Sequence, residues 1–143
     1  EEMSHYAEFD YLVVNEVEGQ RIAADAGLDD MQTTRLPRAL SSRYDLTCIL
    51  TLGGAGLLCI GPEGGWSVPS MHISPVDTTG AGDAFCGVLA AALDRGDPLP
   101  DALRVASVAG GISCTRKGAQ SSLPTLAEIE AEMDKLPPSR KLM

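Results

Sequence analysis

Two short apolar runs set the fold class. Tyr11-Leu-Val-Val-Asn15 and Leu46-Thr-Cys-Ile-Leu-Thr-Leu52 are too short for ordinary helices, and the second is rich in β-branched residues and closed by Gly53-Gly54. Both read as buried strands, which need other elements packed against them. The intervening sequence supplies candidates. Val17–Asp25 is polar and helical in pattern, closed by Gly27, and Leu36–Arg43 reads as a second short helix. Leu28–Thr34 between them is acidic and polar, a loop or the start of that helix. Leu57–Ile60, Trp66–Val68 and Met71–Ile73 are further short extended pieces, the first two joined by Gly61-Pro-Glu-Gly-Gly65, a hairpin-turn composition.

The second half is helical. Ala81–Asp94 is small and aliphatic and ends at Arg95-Gly96, with Gly96 expected as a left-handed cap. A helix of about Leu99–Cys114 follows, with Asp101 in its first turn, where a carboxylate suits the helix dipole. Thr125-Leu-Ala-Glu128 is a capping box opening a helix that carries Ile129 and Met133. Pro137-Pro138 stops it, and residues 137–143 are expected to fray. Strand, helix, strand, hairpin and packed helices make an α/β domain.

Composition narrows the function. A net charge of −9 argues against a nucleic-acid partner, which needs a basic face for phosphates. No apolar run is long enough to cross a membrane, and Glu1–Tyr6 carry neither a basic leader nor an apolar stretch. Aromatics are 4% of the chain, so the core must be aliphatic. The cysteines at 48, 59, 86 and 114 form no C-x-x-C, and Cys48, Cys59 and Cys86 sit in apolar stretches. Buried thiols in a reducing, cytosolic compartment are the expectation.

One segment stands out chemically. In Val76-Asp-Thr-Thr-Gly80-Ala-Gly-Asp83-Ala-Phe85 an extended approach ends in two hydroxyl residues and two glycines, and a helix starts at once. Glycines let backbone approach a ligand, and a helix N-terminus presents unpaired N–H groups that attract an anion. Asp83 falls in the same first turn. Helix capping is one account of it; the other makes it a general base that takes a proton from an attacking hydroxyl beside bound phosphate. No G-K-[ST] follows any glycine loop, so a Walker P-loop is excluded.

The stretch from Asp77 to Phe85 resembles the C-terminal signature of the ribokinase-like, PfkB-type carbohydrate kinases. Asn15-Glu-Val-Glu18 resembles that family's N-x-x-E motif, Thr51–Gly56 its nucleotide-contacting strand end, and Thr115–Pro124 the segment that closes its site. The likeness runs from about Asp10 to Met133 in the family's order and is strongest to the ribokinase branch.

The resemblance implies a three-layer α/β/α sandwich of which this chain is the C-terminal part, and transfer of the ATP γ-phosphoryl group to a primary sugar hydroxyl. Asp83 would be the base, also touching sugar and ATP, with Gly80, Ala81 and Gly82 as the anion hole. Asn15 and Glu18 would act on Mg²⁺ and phosphates through water; read alone, they are a strand-end turn with a solvated Glu. Thr51, Leu52, Gly53, Gly54, Ala55 and Gly56 would line the nucleotide, or form a plain hairpin turn. Ser107 would lie on the adenine side, or simply pack a helix. A monovalent cation, typically K⁺, would be held by Asp77, Thr79 and Ser122 and by the carbonyls of Ser113, Arg116 and Gly118. The Arg116 and Lys117 side chains suggest a phosphate clamp, but solvated surface charge is the simpler expectation.

The family's sugar pocket, Gly-Gly substrate motif and lid belong to a preceding half, and none of them occurs in these 143 residues. Ribose is the leading substrate, with fructose or a nucleoside as alternatives, and a homodimer is implied at full length. A non-catalytic nucleotide-binding or assembly role is the other expectation.

Overall fold

Tyr11–Asn15 forms β1, and Glu16–Asp25 forms α1 directly from its end. A computed structural model describes residues 10–28, 32–71, 73, 80–116 and 124–142. After a 3₁₀ turn at Thr33–Arg35 come α2 (Leu36–Tyr44) and β2 (Thr47–Thr51). A second 3₁₀ turn, Gly53–Ala55, leads to β3 (Leu57–Gly61) and β4 (Gly64–Val68). The helices α3 (Ala81–Asp94), α4 (Leu99–Cys114) and α5 (Leu126–Glu132) follow, then a 3₁₀ turn at Met133–Lys135 and β5 (Arg140–Lys141). The chain divides into a first unit, ending at Ser67 and taking in Lys141 and Leu142, and a second, Val68–Arg140.

In the first unit the sheet order is β1-β2-β3-β4-β5, with β1 parallel and β3 antiparallel to β2. Leu12 and Val14 of β1 and Cys48 and Leu50 of β2 share one face, two residues apart along each strand. That face is covered by Ile22 and Ala23 of α1 and by Leu36, Leu40 and Tyr44 of α2. Gly19 brings α1 down onto the sheet: a Cβ there would sit 3.4 Å from Leu36 Cδ1 and 3.5 Å from Leu50 Cδ1.

The second unit is a small helical core. Ala84, Phe85, Leu89 and Ala92 of α3 and Ala102, Leu103, Ala106 and Ala109 of α4 are buried, so small and aliphatic side chains dominate its interior, with Phe85 the aromatic among these. Arg104, though charged, reaches into this unit and donates to the carbonyl oxygens of Met133 and Leu136 at 2.6–2.9 Å. Met133 O also accepts the Leu136 N–H at 3.2 Å, so Arg104 ties down the end of this 3₁₀ turn.

Three expectations change. Met71 and Ile73 lie in no strand, and His72 falls outside the described residues. The tail does not simply fray, because Arg140–Lys141 adds β5 and the Leu142 N–H donates to Gly65 O at 2.9 Å. Cys86 is exposed and Cys114 half-buried, whereas Cys48 and Cys59 are buried. Cys86 lies away from the buried positions Ala84, Phe85 and Leu89 of its helix, which an apolar neighbourhood in sequence does not reveal.

Burial pushes the Cys48 thiol up to about 12, helped by nearby Cys59, and burial alone pushes Cys59 up to about 12. Both folded-state values exceed the ordinary 9.0, so above that pH an unfolded chain ionises before the folded one does. The contribution of these thiols to stability is therefore intact below pH 9.0 and is lost as pH rises toward about 12. In the native protein at neutral pH, a thiol reagent should label Cys86 quickly and Cys48 and Cys59 only after denaturation, as mass spectrometry of the modified peptides would show.

Candidate functional site

The sequence-predicted residues fall into two groups, one in each unit. In the first, Asn15 ends β1 and Thr51 ends β2, and the two are direct partners in the parallel register. They therefore mark the carboxyl edge of a parallel strand pair, the edge where α/β sheets hold ligands. The Thr51 hydroxyl donates to Val14 O at 3.4 Å, tying the two strand ends together.

Asn15 and Glu18 form an ordered turn in which Glu18, though exposed, is hydrogen-bonded. They make a capping box: Asn15 Oδ1 accepts the Glu18 N–H at 2.8 Å, and Glu18 Oε1 accepts the Asn15 N–H at 3.0 Å. The spacing N-x-x-E carries that signal, as T-x-x-E does at Thr125. Asn15 Oδ1 is thus committed to the backbone, while the exposed Glu18 carboxylate uses one oxygen in the cap and could offer the other to a hydrated cation. Magnesium retains most of its waters and takes few carboxylates, so one exposed carboxylate suits it. Among the described residues no cluster of three or more His, Cys, Asp or Glu side chains offers a dehydrated metal site. Asn15→Ala should cost about 1 kcal/mol through the lost cap, and Asn15→Asp should keep it. Thermal melts of the two variants check this.

Beyond β2 the hairpin expectation holds: β2 and β3 pair antiparallel with Thr51 opposite Leu57, and the loop between them is a 3₁₀ turn. Gly56 donates to Gly53 O at 3.1 Å, and Leu52 donates to Gly56 O at 2.8 Å. A side chain at Gly53 or Gly54 would meet nothing within 4 Å, so this turn presents open backbone.

In the second unit, Gly80 is the N-cap of α3 with φ 84 and ψ −5, a left-handed conformation that a Cβ disfavours. It provides no side-chain cap, unlike Asn15 for α1 and Thr125 for α5. The first-turn N–H groups of Ala81, Gly82 and Asp83 lie at the positive end of the helix dipole with no side-chain oxygen from their N-cap residue. Asp83 is exposed in that same turn. Gly82 is also exposed, and a Cβ there would meet nothing within 4 Å. Among the described residues, neither packing nor a positive φ requires a glycine at 82. The turn is held from behind by α4: a Cβ at Gly110 would lie 3.4 Å from Ala81 O and 3.7 Å from Phe85 Cβ. A glycine inside a helix, Gly110, is the sequence sign of that close approach, whereas its neighbour Gly111 lies against Met71.

Ser107 is half-buried on α4. Ser113 is buried, and its carbonyl accepts the Arg116 N–H at 3.2 Å. The Arg116 side chain is no free surface charge: it is ion-paired with Glu128, whose Oε1 also accepts the Thr125 N–H at 2.9 Å. Asp77, Thr79, Lys117, Gly118 and Ser122 lie outside the described residues.

Residues 2–126 match the sequence pattern of the pfkB family carbohydrate kinases. The chain belongs to that family. The ribokinase of Lactococcus lactis is 32% identical over 127 residues, which cover 89% of this chain and 39% of that protein. Among solved structures, a ribokinase of Thermotoga maritima superposes with a TM-score of 0.85 at 32% identity, covering 90% of this chain and 43% of the other. A ribokinase of Cryptococcus neoformans in complex with ADP gives 0.75 at 30% identity, covering 91% of this chain and 48% of its own. The fold is thus that of the ribokinases, and the chain spans about two-fifths to a half of the pfkB relatives it matches. Among the described residues no helix is long and apolar enough to cross a membrane.

Proposed function

We propose that this chain carries the ATP-side machinery of a sugar kinase, which transfers the γ-phosphoryl group of ATP to a primary hydroxyl, ribose being the leading substrate. The observation that carries the reading is the first turn of α3, whose N-cap residue Gly80 offers no side chain, with Asp83 in it and a glycine at 82 that no described residue crowds. A helical glycine costs about 1 kcal/mol relative to alanine, so its presence there fits a ligand that must come close to the backbone.

In this reading the Asp83 carboxylate accepts the proton of the sugar hydroxyl as that oxygen attacks the γ-phosphorus and ADP departs. The backbone of Gly80, Ala81 and Gly82 stabilises the charge that builds on the transferring oxygens. One such donor is typically worth about 10²–10³ in kcat. Thr51 and the open turn Leu52–Gly56 receive the nucleotide, with Ser107 on its adenine side. Glu18, held by its bond to Asn15, reaches the hydrated Mg²⁺, which supplies neutralising charge on the phosphates. The carbonyls of Ser113 and Arg116, with Asp77, Thr79, Gly118 and Ser122, hold K⁺. A homodimer in a reducing cytosol is the matching state of the full-length enzyme.

The test is an ADP-release assay over pentoses and hexoses, run on this chain and on the chain joined to the remaining portion of a full-length relative. Turnover in the joined protein, highest with ribose and slower when a bulky organic cation replaces K⁺, is the expected result. ATP binding with no ADP release from the joined protein would leave a nucleotide-binding role and sink the kinase reading. Equal rates in both cations would remove the K⁺ assignment alone.

A further inference from the structure

One side chain in the second unit joins the end of α4 to the start of α5. Glu128 Oε1 accepts the Thr125 N–H at 2.9 Å, which closes the α5 capping box, and Arg116 Nη1 donates to the same oxygen at 3.4 Å. Glu128 Oε2 is paired with Arg116 Nη2. The guanidinium fork thus meets both carboxylate oxygens, an arrangement that sets direction as well as distance.

Arg116 is held from the α4 side too. Its N–H donates to Ser113 O at 3.2 Å, and the Thr115 N–H donates to Ile112 O at 3.0 Å. The Thr115 hydroxyl adds a bond to Ile112 O at 2.6 Å. Carbonyls at a helix C-terminus carry the negative end of its dipole, and carbonyl oxygens are the donors that replace water around K⁺. Ser113 O and Arg116 O are donors of that kind. The ion pair itself adds little to stability, because its side chains are 31% and 38% exposed. α5 has its own anchor in the buried Ile129. What the pair supplies is a fixed place for the Arg116 backbone, held between α4 and α5.

We propose that Glu128 is a positioning residue for K⁺: through the Arg116 side chain it holds the Arg116 carbonyl where the cation takes it up. The inference rests on the K⁺ part of the kinase reading and adds to it a residue that acts through another.

Glu128→Gln is the selective variant, because glutamine also closes a capping box while the charge is lost. Arg116→Ala breaks the pair from the other side, leaves the cap intact and keeps the backbone carbonyl. Both are made in the chain joined to the remaining portion of a full-length relative. Melting temperature is followed against KCl without ATP or sugar, with choline chloride holding the ionic strength constant, and the K⁺ dependence of the rate is read alongside. Each variant should raise the K⁺ concentration at half effect by about fivefold or more in both readouts, and the double variant by no more than either alone. A merely structural role would lower the melting temperature equally at every K⁺ concentration and leave the half-effect concentration unmoved. That result overturns the proposal and leaves the K⁺ reading standing. If Glu128→Gln does not fold, Arg116→Ala carries the test. A parent protein whose melting temperature and rate both ignore K⁺ removes the K⁺ reading, and the role of Glu128 with it.

Discussion

Asp83→Asn is expected to lower kcat by about 10²–10⁴-fold, the usual contribution of a positioned general base, with little change in KM for ATP. The substitution keeps the size of the side chain and removes its ability to accept a full proton. It is best measured on the chain joined to the remaining portion of a relative, where sugar and nucleotide sites are both supplied. Asp83 has a second role that must be separated from the first. As a carboxylate in the first turn of α3 it also favours the helix dipole, worth about 0.3–1 kcal/mol at an exposed position. A residue that acted only in this way would lower the melting temperature slightly and leave kcat alone. Kinetics and a melt on the same variant therefore distinguish base from cap. Retention of full turnover would overturn the base assignment even if stability fell.

How much of this was visible in the sequence depends on whether an interaction is local. The α3 start, the Gly96 end of that helix at φ 92, the Thr125 capping box and the Leu99–Cys114 span were all legible. Each is set by residues within four positions of one another. β5 was not, because Arg140 and Lys141 carry no apolar pattern and the adjoining Leu142 is joined to the first unit by a backbone bond to Gly65. The partner of Arg116 was missed for the same reason. Glu128 is twelve residues away and also serves the α5 capping box, so spacing alone assigns it one role when it has two. At Asn15 the motif was seen and its first duty was not. N-x-x-E was read for cation chemistry, yet the same two side chains first satisfy the start of α1. The cap leaves room for the proposed cation role, because Glu18 spends only one oxygen on it.

Leu50→Ala should be the most damaging of simple core changes in the first unit, at about 2–5 kcal/mol. Leu50 is fully buried next to the carboxyl end of β2, opposite Val14 in register, and meets the face of α1 at Gly19. Because Gly19 has no side chain, α1 has nothing to move into the space a shortened residue would leave, and the cavity would persist. Domains of this size are typically stable by about 5–15 kcal/mol, so the loss is a large share of the total. Urea unfolding should show a lower midpoint with an unchanged slope. Leu50→Met, which nearly keeps the volume, should cost less than about 1.5 kcal/mol. Leu126→Ala, at a side chain 57% exposed, should stay within about 0.5 kcal/mol of the parent. If Leu50→Ala shifted the midpoint no more than Leu126→Ala, the packing of α1 on β1 and β2 would not be what holds this unit. The consequence reaches the site: Leu50 and Val14 directly precede Thr51 and Asn15, so the core that fails in Leu50→Ala is the one that fixes the carboxyl edge on which the nucleotide reading depends.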